Sequence, residues 1–106
     1  MIKKEFEKIE KKDVLMMASD IVSNDTQIVV LYSRPESGKT AVTEYNYEFD
    51  GWDYKKTTHW YYRTSSGVSN STDDYLTLDE MIIEIMSLTD GDLEDGESLK
   101  VFNETI

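Results

Sequence analysis

Apolar residues recur at helical spacing near the C-terminal end of the chain. Between residues 77 and 88 they follow the i, i+3, i+4 pattern of a helix that buries one face. These residues are Leu78, Met81, Ile82, Ile85 and Met86. Thr77 is the predicted N-cap, and Glu80 completes a capping box, in which two side chains satisfy two orphan backbone N–H groups. The pattern therefore predicts a capped helix over residues 77–88.

A second helical pattern covers residues 2–23. Phe6 and Ile9 share one face of an amphipathic N-terminal segment, but a single straight helix would place Asp13 on that same face. We therefore predict a break near Lys12 and a second short helix with Asp13 as its N-cap. Its core-facing residues are predicted to be Val14, Leu15, Ala18, Ile21 and Val22. One kinked helix fits the same pattern, and that alternative stays open.

Strand patterns occupy residues 26–64. Residues 27–32 form a continuous β-branched apolar run, which is typical of a central strand covered on both faces. Residues 41–49 alternate, which is typical of a half-buried antiparallel strand. A third strand is predicted over residues 56–64, and a C-terminal edge strand over residues 99–105.

Polar and glycine-containing segments separate these elements. Residues 34–38 and the dipeptide Asp50-Gly51 are predicted turns, and residues 65–73 are a predicted polar loop. The patterns together predict one α+β domain over residues 1–106, in the order α(α)-β-β-β-α-β. Its antiparallel sheet is expected to have three to four strands, with helices packed on one face.

The net charge adds information about the surface. The chain carries 22 acidic and 11 basic residues, a formal net charge of −11. The first twelve residues hold five Lys and three Glu, whereas the rest of the chain holds six basic and nineteen acidic residues. Such a charge works against direct binding to nucleic acid or to an anionic membrane. No apolar run approaches the roughly 18 residues that a membrane span requires.

The chain offers few groups for catalysis or metal binding. It has no Cys and a single histidine, His59, so we expect neither a thiolate nucleophile nor a site built on two histidines. Residues 33–40 end in Gly-Lys-Thr, but a phosphate-binding loop needs a Gly in place of Ser33 and a helix afterwards, so we expect a hairpin turn. The acidic segment 90–97 lacks EF-hand spacing. We predict no catalytic residue, no cofactor and no metal site.

The cysteine count also bears on location. With no Cys and no signal-peptide pattern, we expect a cytoplasmic protein, in a bacterial cell or an infected host cell.

Aromatic residues are concentrated in one stretch. Nine of the twelve lie between residues 45 and 75, namely Tyr45, Tyr47, Phe49, Trp52, Tyr54, Trp60, Tyr61, Tyr62 and Tyr75. Packing across the sheet accounts for part of this set. Tyr and Trp are also enriched at the hot spots of protein interfaces, so the others form a candidate contact surface.

Carboxylates are concentrated between residues 73 and 97, a stretch that holds ten of them and no Lys or Arg. One interpretation is a solvated, solubilising face. The other is a rigid negative surface that occupies the Lys/Arg groove with which a partner binds DNA or RNA. In size, charge and α+β build, though in no alignable motif, the chain resembles small acidic phage-encoded nucleic-acid mimics. Those proteins inhibit CRISPR nucleases, restriction enzymes and uracil-DNA glycosylase.

We therefore predict a small non-enzymatic inhibitor whose partner is a basic nucleic-acid-binding protein or nuclease, such as a CRISPR effector. Its phosphate-mimicking face is predicted to be Asp79, Glu80, Glu84, Asp90, Asp92, Glu94, Asp95 and Glu97. The predicted secondary anchors are Asp50, Trp52, Asp53 and Tyr54. The alternative function is an acidic adaptor that binds a protein through the aromatic sheet face. Pairing of the Lys-rich N-terminus with the acidic face of a second copy leaves a homodimer open.

Overall fold

Two helices and five strands make up the described part of the chain. The computed structural model describes residues 9–63, 70–90 and 93–105. The elements are α1 (Lys11–Ser23), β1 (Thr26–Glu36), β2 (Lys39–Phe49), β3 (Tyr54–Tyr62), β4 (Asn70–Leu76), α2 (Leu78–Thr89) and β5 (Ser98–Thr105). Neighbouring strands are all antiparallel, in the order β4-β3-β2-β1-β5. The protein is an α+β domain, as predicted.

β1 is a buried interior strand of the sheet, between β2 and β5. It pairs with β2 on one side and with β5 on the other, and Ile28, Val29 and Val30 are buried. Because successive side chains of a strand point to opposite faces, Ile28 and Val30 face one layer while Val29 faces the other. The run of apolar residues is therefore a central strand buried on both faces, as predicted.

Both helices pack on the same face of the sheet. Tyr47 lies opposite Ile28 across the β1–β2 ladder, so both side chains point to this face. They belong to one buried cluster with residues of both helices: Val14, Met17, Ala18 and Ile21 of α1, and Met81, Ile82 and Ile85 of α2. The cluster is the main core, and it holds α2 against the sheet.

The predicted strand count was wrong because a polar strand was taken for a loop. Residues 70–76 form β4, which pairs with β3 from Tyr54 opposite Leu76 to Trp60 opposite Asn70. An edge strand has one neighbour and can carry polar side chains on both faces, so no apolar alternation reveals it. Residues 64–69 lie outside the described residues. The order is α-β-β-β-β-α-β, with five strands instead of three to four.

α1 begins earlier than the predicted second helix. Its N-cap is Glu10, and the backbone N–H of Glu10 donates to Oδ2 of Asp13 at 2.9 Å. Asp13 is therefore the third helical residue and not the N-cap. Its charge at this position also favours the helix, because the N-terminal end of a helix is electropositive. The first helical segment was predicted over residues 2–11. Residues 2–8 lie outside the described residues, Ile9 and Glu10 precede α1, and Lys11 is its first residue.

α1 also buries a different set of side chains from the predicted one. Met17 is buried, whereas Leu15 and Val22, predicted to face the core, are 44% and 48% exposed. Each follows a buried residue by one position, and one position turns a helix by about 100°. The two side chains therefore lie beside the buried stripe and not within it.

The β1–β2 connection is a two-residue hairpin turn. Ser37 and Gly38 have φ values of 50° and 79°, between Glu36 and Lys39, which pair with each other. Positive φ at both central residues is the requirement of the hairpin turn that matches strand twist. A strand follows this turn and not a helix, as expected for a hairpin and not for a phosphate-binding loop.

A partly buried polar bridge joins α2 to the sheet. Glu84 Oε1 accepts a hydrogen bond from the Tyr47 hydroxyl at 2.8 Å and forms an ion pair with Lys56. The side chains of Lys56 and Glu84 are 15% and 28% exposed, and Lys56 Nζ lies 4.8 Å from the ring centre of Tyr45. Burial, and next the Glu84 carboxylate, raise the pKa of the Tyr47 hydroxyl far above its ordinary value. The hydroxyl therefore remains a donor at every physiological pH.

Replacing Glu84 with Gln should destabilise the fold. Glu84→Gln retains an acceptor for Tyr47 but leaves the Lys56 ammonium partly buried without a counter-charge, which costs about 1–3 kcal/mol. Urea unfolding measures the effect, and adding Lys56→Met should recover part of the loss because the uncompensated charge is removed. An unchanged urea midpoint for Glu84→Gln would show that the bridge does not hold α2.

Candidate protein-binding surface

α2 divides the predicted acidic face between two ends of the sheet. The helix follows Leu76, which pairs with Tyr54 beside the β2–β3 turn, so it begins at that end. The loop after α2 leads to Ser98, which pairs with Ser33 near the β1–β2 hairpin. A helix of 12 residues is about 18 Å long at 1.5 Å per residue. The predicted carboxylates thus form two groups and not one continuous face.

The two groups are the turn-end group and the hairpin-end group. The turn-end group lies at the β2–β3 turn and the first turn of α2, and consists of Asp50, Asp53, Asp79 and Glu80. The hairpin-end group lies between α2 and β5, and consists of Asp90, Glu94, Asp95 and Glu97. Asp92, also predicted for this face, lies outside the described residues.

Trp52 projects from the turn-end group. Its side chain is 88% exposed, more than any other large hydrophobic residue in the described ranges. The turn that carries it is held by Asp50, whose Oδ1 accepts hydrogen bonds from the N–H groups of Asp53 at 2.7 Å and Trp52 at 3.0 Å. These two bonds, with Asp53 the larger cause, lower the pKa of the Asp50 carboxyl. An ordered turn thus displays an indole to solvent beside two carboxylates.

The capping box predicted at the start of α2 is present. Thr77 Oγ1 accepts from the Glu80 N–H at 3.2 Å, and Glu80 Oε1 accepts from the Thr77 N–H at 3.0 Å. The bond from Thr77 lowers the pKa of the Glu80 carboxyl. Glu80 therefore has a structural task, and its charge is also fixed in position next to Asp79.

Tyr54 is not a surface anchor. Its side chain is 9% exposed and its ring centre lies 5.1 Å from that of Phe49. It faces the helices because it pairs with Phe49 and Leu76 on the core side of the sheet. Of the two aromatic residues predicted as anchors, Trp52 is exposed and Tyr54 is buried.

Glu84 is not a free surface charge either. It was predicted for the phosphate-mimicking face, and in the structure its carboxylate is bound by Tyr47 and Lys56. In helix order it lies between the two acidic groups, so the middle of α2 is neutralised while both ends remain negative.

Carboxylates of the hairpin-end group differ in what they do for the fold. Glu97 accepts hydrogen bonds from the Tyr32 hydroxyl and, at 2.7 Å, from the Glu94 N–H, so it orders the loop before β5. Asp90 is the C-cap of α2, where no basic residue occupies the last turn. A negative charge at a helix C-terminus is unfavourable. Asp90 therefore works against helix stability.

Four ion pairs between described residues use carboxylates outside the two acidic groups. They join Lys12 to Glu10, Arg34 to Glu36, Lys55 to Asp73, and Lys56 to Glu84. None of these carboxylates belongs to the turn-end or the hairpin-end group. At the turn end, the charge of Lys55 adds to the two backbone hydrogen bonds that lower the pKa of the Asp50 carboxyl.

An apolar groove that sequence reasoning missed lies beside the turn-end group. It has a volume of about 280 Å³ and runs between α1 and the start of α2, with Leu15, Val22, Tyr54 and Leu78 among its lining residues. Leu78 is 38% exposed, although the helical stripe had placed it in the core. The signal was available in Leu15 and Val22, seven residues apart and therefore on one helix face.

Exposed aromatic rings are few on the sheet itself. Of the nine aromatic residues between 45 and 75, Trp52 and Tyr75 are the exposed ones, at 88% and 60%. Tyr61 is half-buried and donates to Glu44 at 3.2 Å. Trp60 and Tyr62 pack edge to face, with ring centres 4.9 Å apart. Most of these rings are therefore packed within the fold and do not form an exposed contact surface.

The described residues contain neither a metal-ligand cluster nor a membrane-spanning helix. Within the described residues, no three His, Asp or Glu side chains are grouped to hold a metal ion. No helix in the same ranges is long and apolar enough to cross a membrane. Comparisons with protein-family models, curated proteins and solved structures found no match to this chain.

Neutralising a carboxylate should have opposite effects at the two ends of α2. Asp90→Asn should stabilise the protein and Asp79→Asn should destabilise it, each by about 0.3–1 kcal/mol at low salt, because the helix dipole has opposite signs at its two ends. Urea unfolding at low and high salt measures both, and salt should reduce both effects. Destabilisation by Asp90→Asn would show that this carboxylate supports the fold.

Proposed function

We propose that this protein is a small acidic, non-enzymatic inhibitor that occupies the basic groove of a nucleic-acid-handling protein. The observation that carries the proposal is the turn-end group: an 88% exposed Trp52 among carboxylates that none of the four ion pairs uses. An indole that becomes buried when two proteins bind is a common hot spot of their interface. Surrounding carboxylates would steer the indole toward a positively charged partner.

The spacing of the two acidic groups supports the same proposal. They are separated by the length of α2, about 18 Å, which corresponds to about five base pairs at 3.4 Å per phosphate of one DNA strand. Because α2 is capped and bridged to the sheet, the groups keep this separation without the partner. Preorganised charges lose less conformational entropy on binding.

The identity of the unexplained carboxylates is a second support. Asp90 opposes the dipole of α2, and no described hydrogen bond or ion pair uses the side chains of Asp53 or Asp95. Stability alone does not account for these charges. A surface that binds a basic groove requires them.

The adaptor hypothesis has a weaker basis in the described residues. It needs exposed aromatic rings on the sheet, and most of those rings are buried or half-buried. Tyr75 on β4 is the exposed ring that such a function would use.

Capture from a bacterial lysate tests the proposal directly. The protein is immobilised, the lysate is freed of nucleic acid, and bound proteins are eluted with duplex DNA before high salt. We expect DNA to release the specific partners, because protein and DNA occupy one groove. Partners that duplex DNA leaves in place, and that resist high salt, would overturn the proposal and favour the adaptor.

Trp52→Ala provides the matched control for that capture. Its stability should stay within about 0.5 kcal/mol of the wild type, since the removed side chain is exposed. The variant should capture much less of the protein that duplex DNA elutes from the wild type. Equal capture by Trp52→Ala would exclude the indole as an anchor.

Charge reversal at each end should change association kinetics. The variants Asp53→Lys/Asp79→Lys and Asp90→Lys/Asp95→Lys change net charge equally, and both should slow association with the captured partner by about tenfold or more at low salt. Dissociation should change less. Surface plasmon resonance over a salt series measures both rates, and an association rate independent of salt would contradict steering.

A further inference from the structure

β4 is an exposed edge of the sheet. In the described part of the chain it pairs with β3 alone, and residues 71–75 are all exposed. An edge strand presents unpaired N–H and C=O groups, which are a template for another strand. The strand leads into Thr77 and the turn-end group, so it continues the surface of the proposed function.

The hydrogen-bond pattern identifies which β4 amides point outward. Asp50 N–H donates to Asp53 O at 3.0 Å, and Arg63 N–H donates to Thr40 O at 2.9 Å. Both pairs continue the β2–β3 register. Because bonded and non-bonded pairs alternate, the odd-numbered residues of β3 bond to β2 and the even-numbered ones to β4.

The same alternation carries over to β4. Even-numbered residues of β3 lie opposite even-numbered residues of β4, as Tyr54 lies opposite Leu76. The backbone N–H and C=O groups of Ser71, Asp73 and Tyr75 therefore point away from the sheet. These three residues supply the free edge.

A groove for side chains lies next to this edge on the helix side. It has a volume of about 400 Å³, between β4 and α2, and its lining includes Leu76, Ile83 and Leu88 together with Glu80. Ile83 is 68% exposed. A strand added to β4 would direct alternate side chains toward this groove.

Charge selects the occupant of the edge. Asp73 and Asp74 are adjacent in β4, so they face opposite sides of the sheet. A second copy paired antiparallel about Asp73 would oppose like charges, which is unfavourable. Asp73 Oδ2 lies 3.8 Å from Lys55 Nζ of β3, and the Asp73 side chain is still 49% exposed, so its outer side remains accessible to a cation. Lys or Arg at two successive positions of an added strand would meet one carboxylate on each face.

We propose that β4 binds an extended basic segment of a partner protein by strand addition. In antiparallel register the segment places an apolar residue opposite Leu76, toward Ile83, and basic residues opposite Asp74 and Asp73. From its N-terminus, the segment therefore has the order apolar, polar, basic, basic. The inference rests on the proposed function only in taking the partner to be basic.

The test uses the isotopically labelled full chain and a synthetic peptide that contains this order. The control peptide has the same composition, with its two basic residues moved two positions apart. We expect the first peptide to slow amide exchange of Ser71, Asp73 and Tyr75 by about tenfold or more, because a hydrogen-bonded amide exchanges only on opening. The Ile83 methyl resonance should shift, and this shift should saturate at the same peptide concentration as the slowing of amide exchange. Equal effects of both peptides, or shifts confined to the turn-end group, would overturn the inference.

Two variants at one position separate the backbone contribution from the charge. Asp73→Pro removes an outward N–H and leaves the ladder to β3 intact, as prolines of edge strands do. Asp73→Ala removes the same carboxylate and keeps the N–H. Asp73→Pro should lose peptide binding, and Asp73→Ala should only weaken it. Equal binding by the two variants would overturn strand addition. It would not affect the proposed inhibitor function, which the DNA-released capture by the wild type tests separately.

Discussion

The bridge from Glu84 to Tyr47 and Lys56 is the interaction on which the arrangement of the surface depends. Its three residues come from α2, β2 and β3, so it fixes how α2 is rotated on the sheet. With that rotation set, Met81, Ile82 and Ile85 are buried and Ile83 points to solvent. The bridge also neutralises the middle of the helix, which leaves the negative charge at its two ends.

The carboxylates fall into those that the fold uses and those that it does not. Asp50, Glu80 and Glu97 each accept backbone hydrogen bonds and hold a turn, a helix start and a loop. Asp90 opposes its helix dipole, and the side chains of Asp53 and Asp95 have no described partner. One set positions the surface, and the other set gives it charge that stability does not require. This division is the physical basis of the proposed inhibitor.

Local signals were sufficient for part of the structure. The capping box at Thr77 and the apolar run of β1 are encoded by residues close in sequence, and both were predicted. β4 could not be predicted because an exposed edge strand needs no apolar alternation. The role of Glu84 was also hidden, since its partner Tyr47 is 37 positions away. Burial of Tyr54 likewise depends on the docking of two helices.

Simultaneous binding is the most direct measurement of the central claim. The captured partner is mixed with this protein and with a duplex DNA that the partner binds, and the complexes are separated by native mass spectrometry. Our account predicts two binary complexes and no ternary one, with their ratio set by the two concentrations. A stable ternary complex of partner, DNA and this protein would contradict occupation of the nucleic-acid groove.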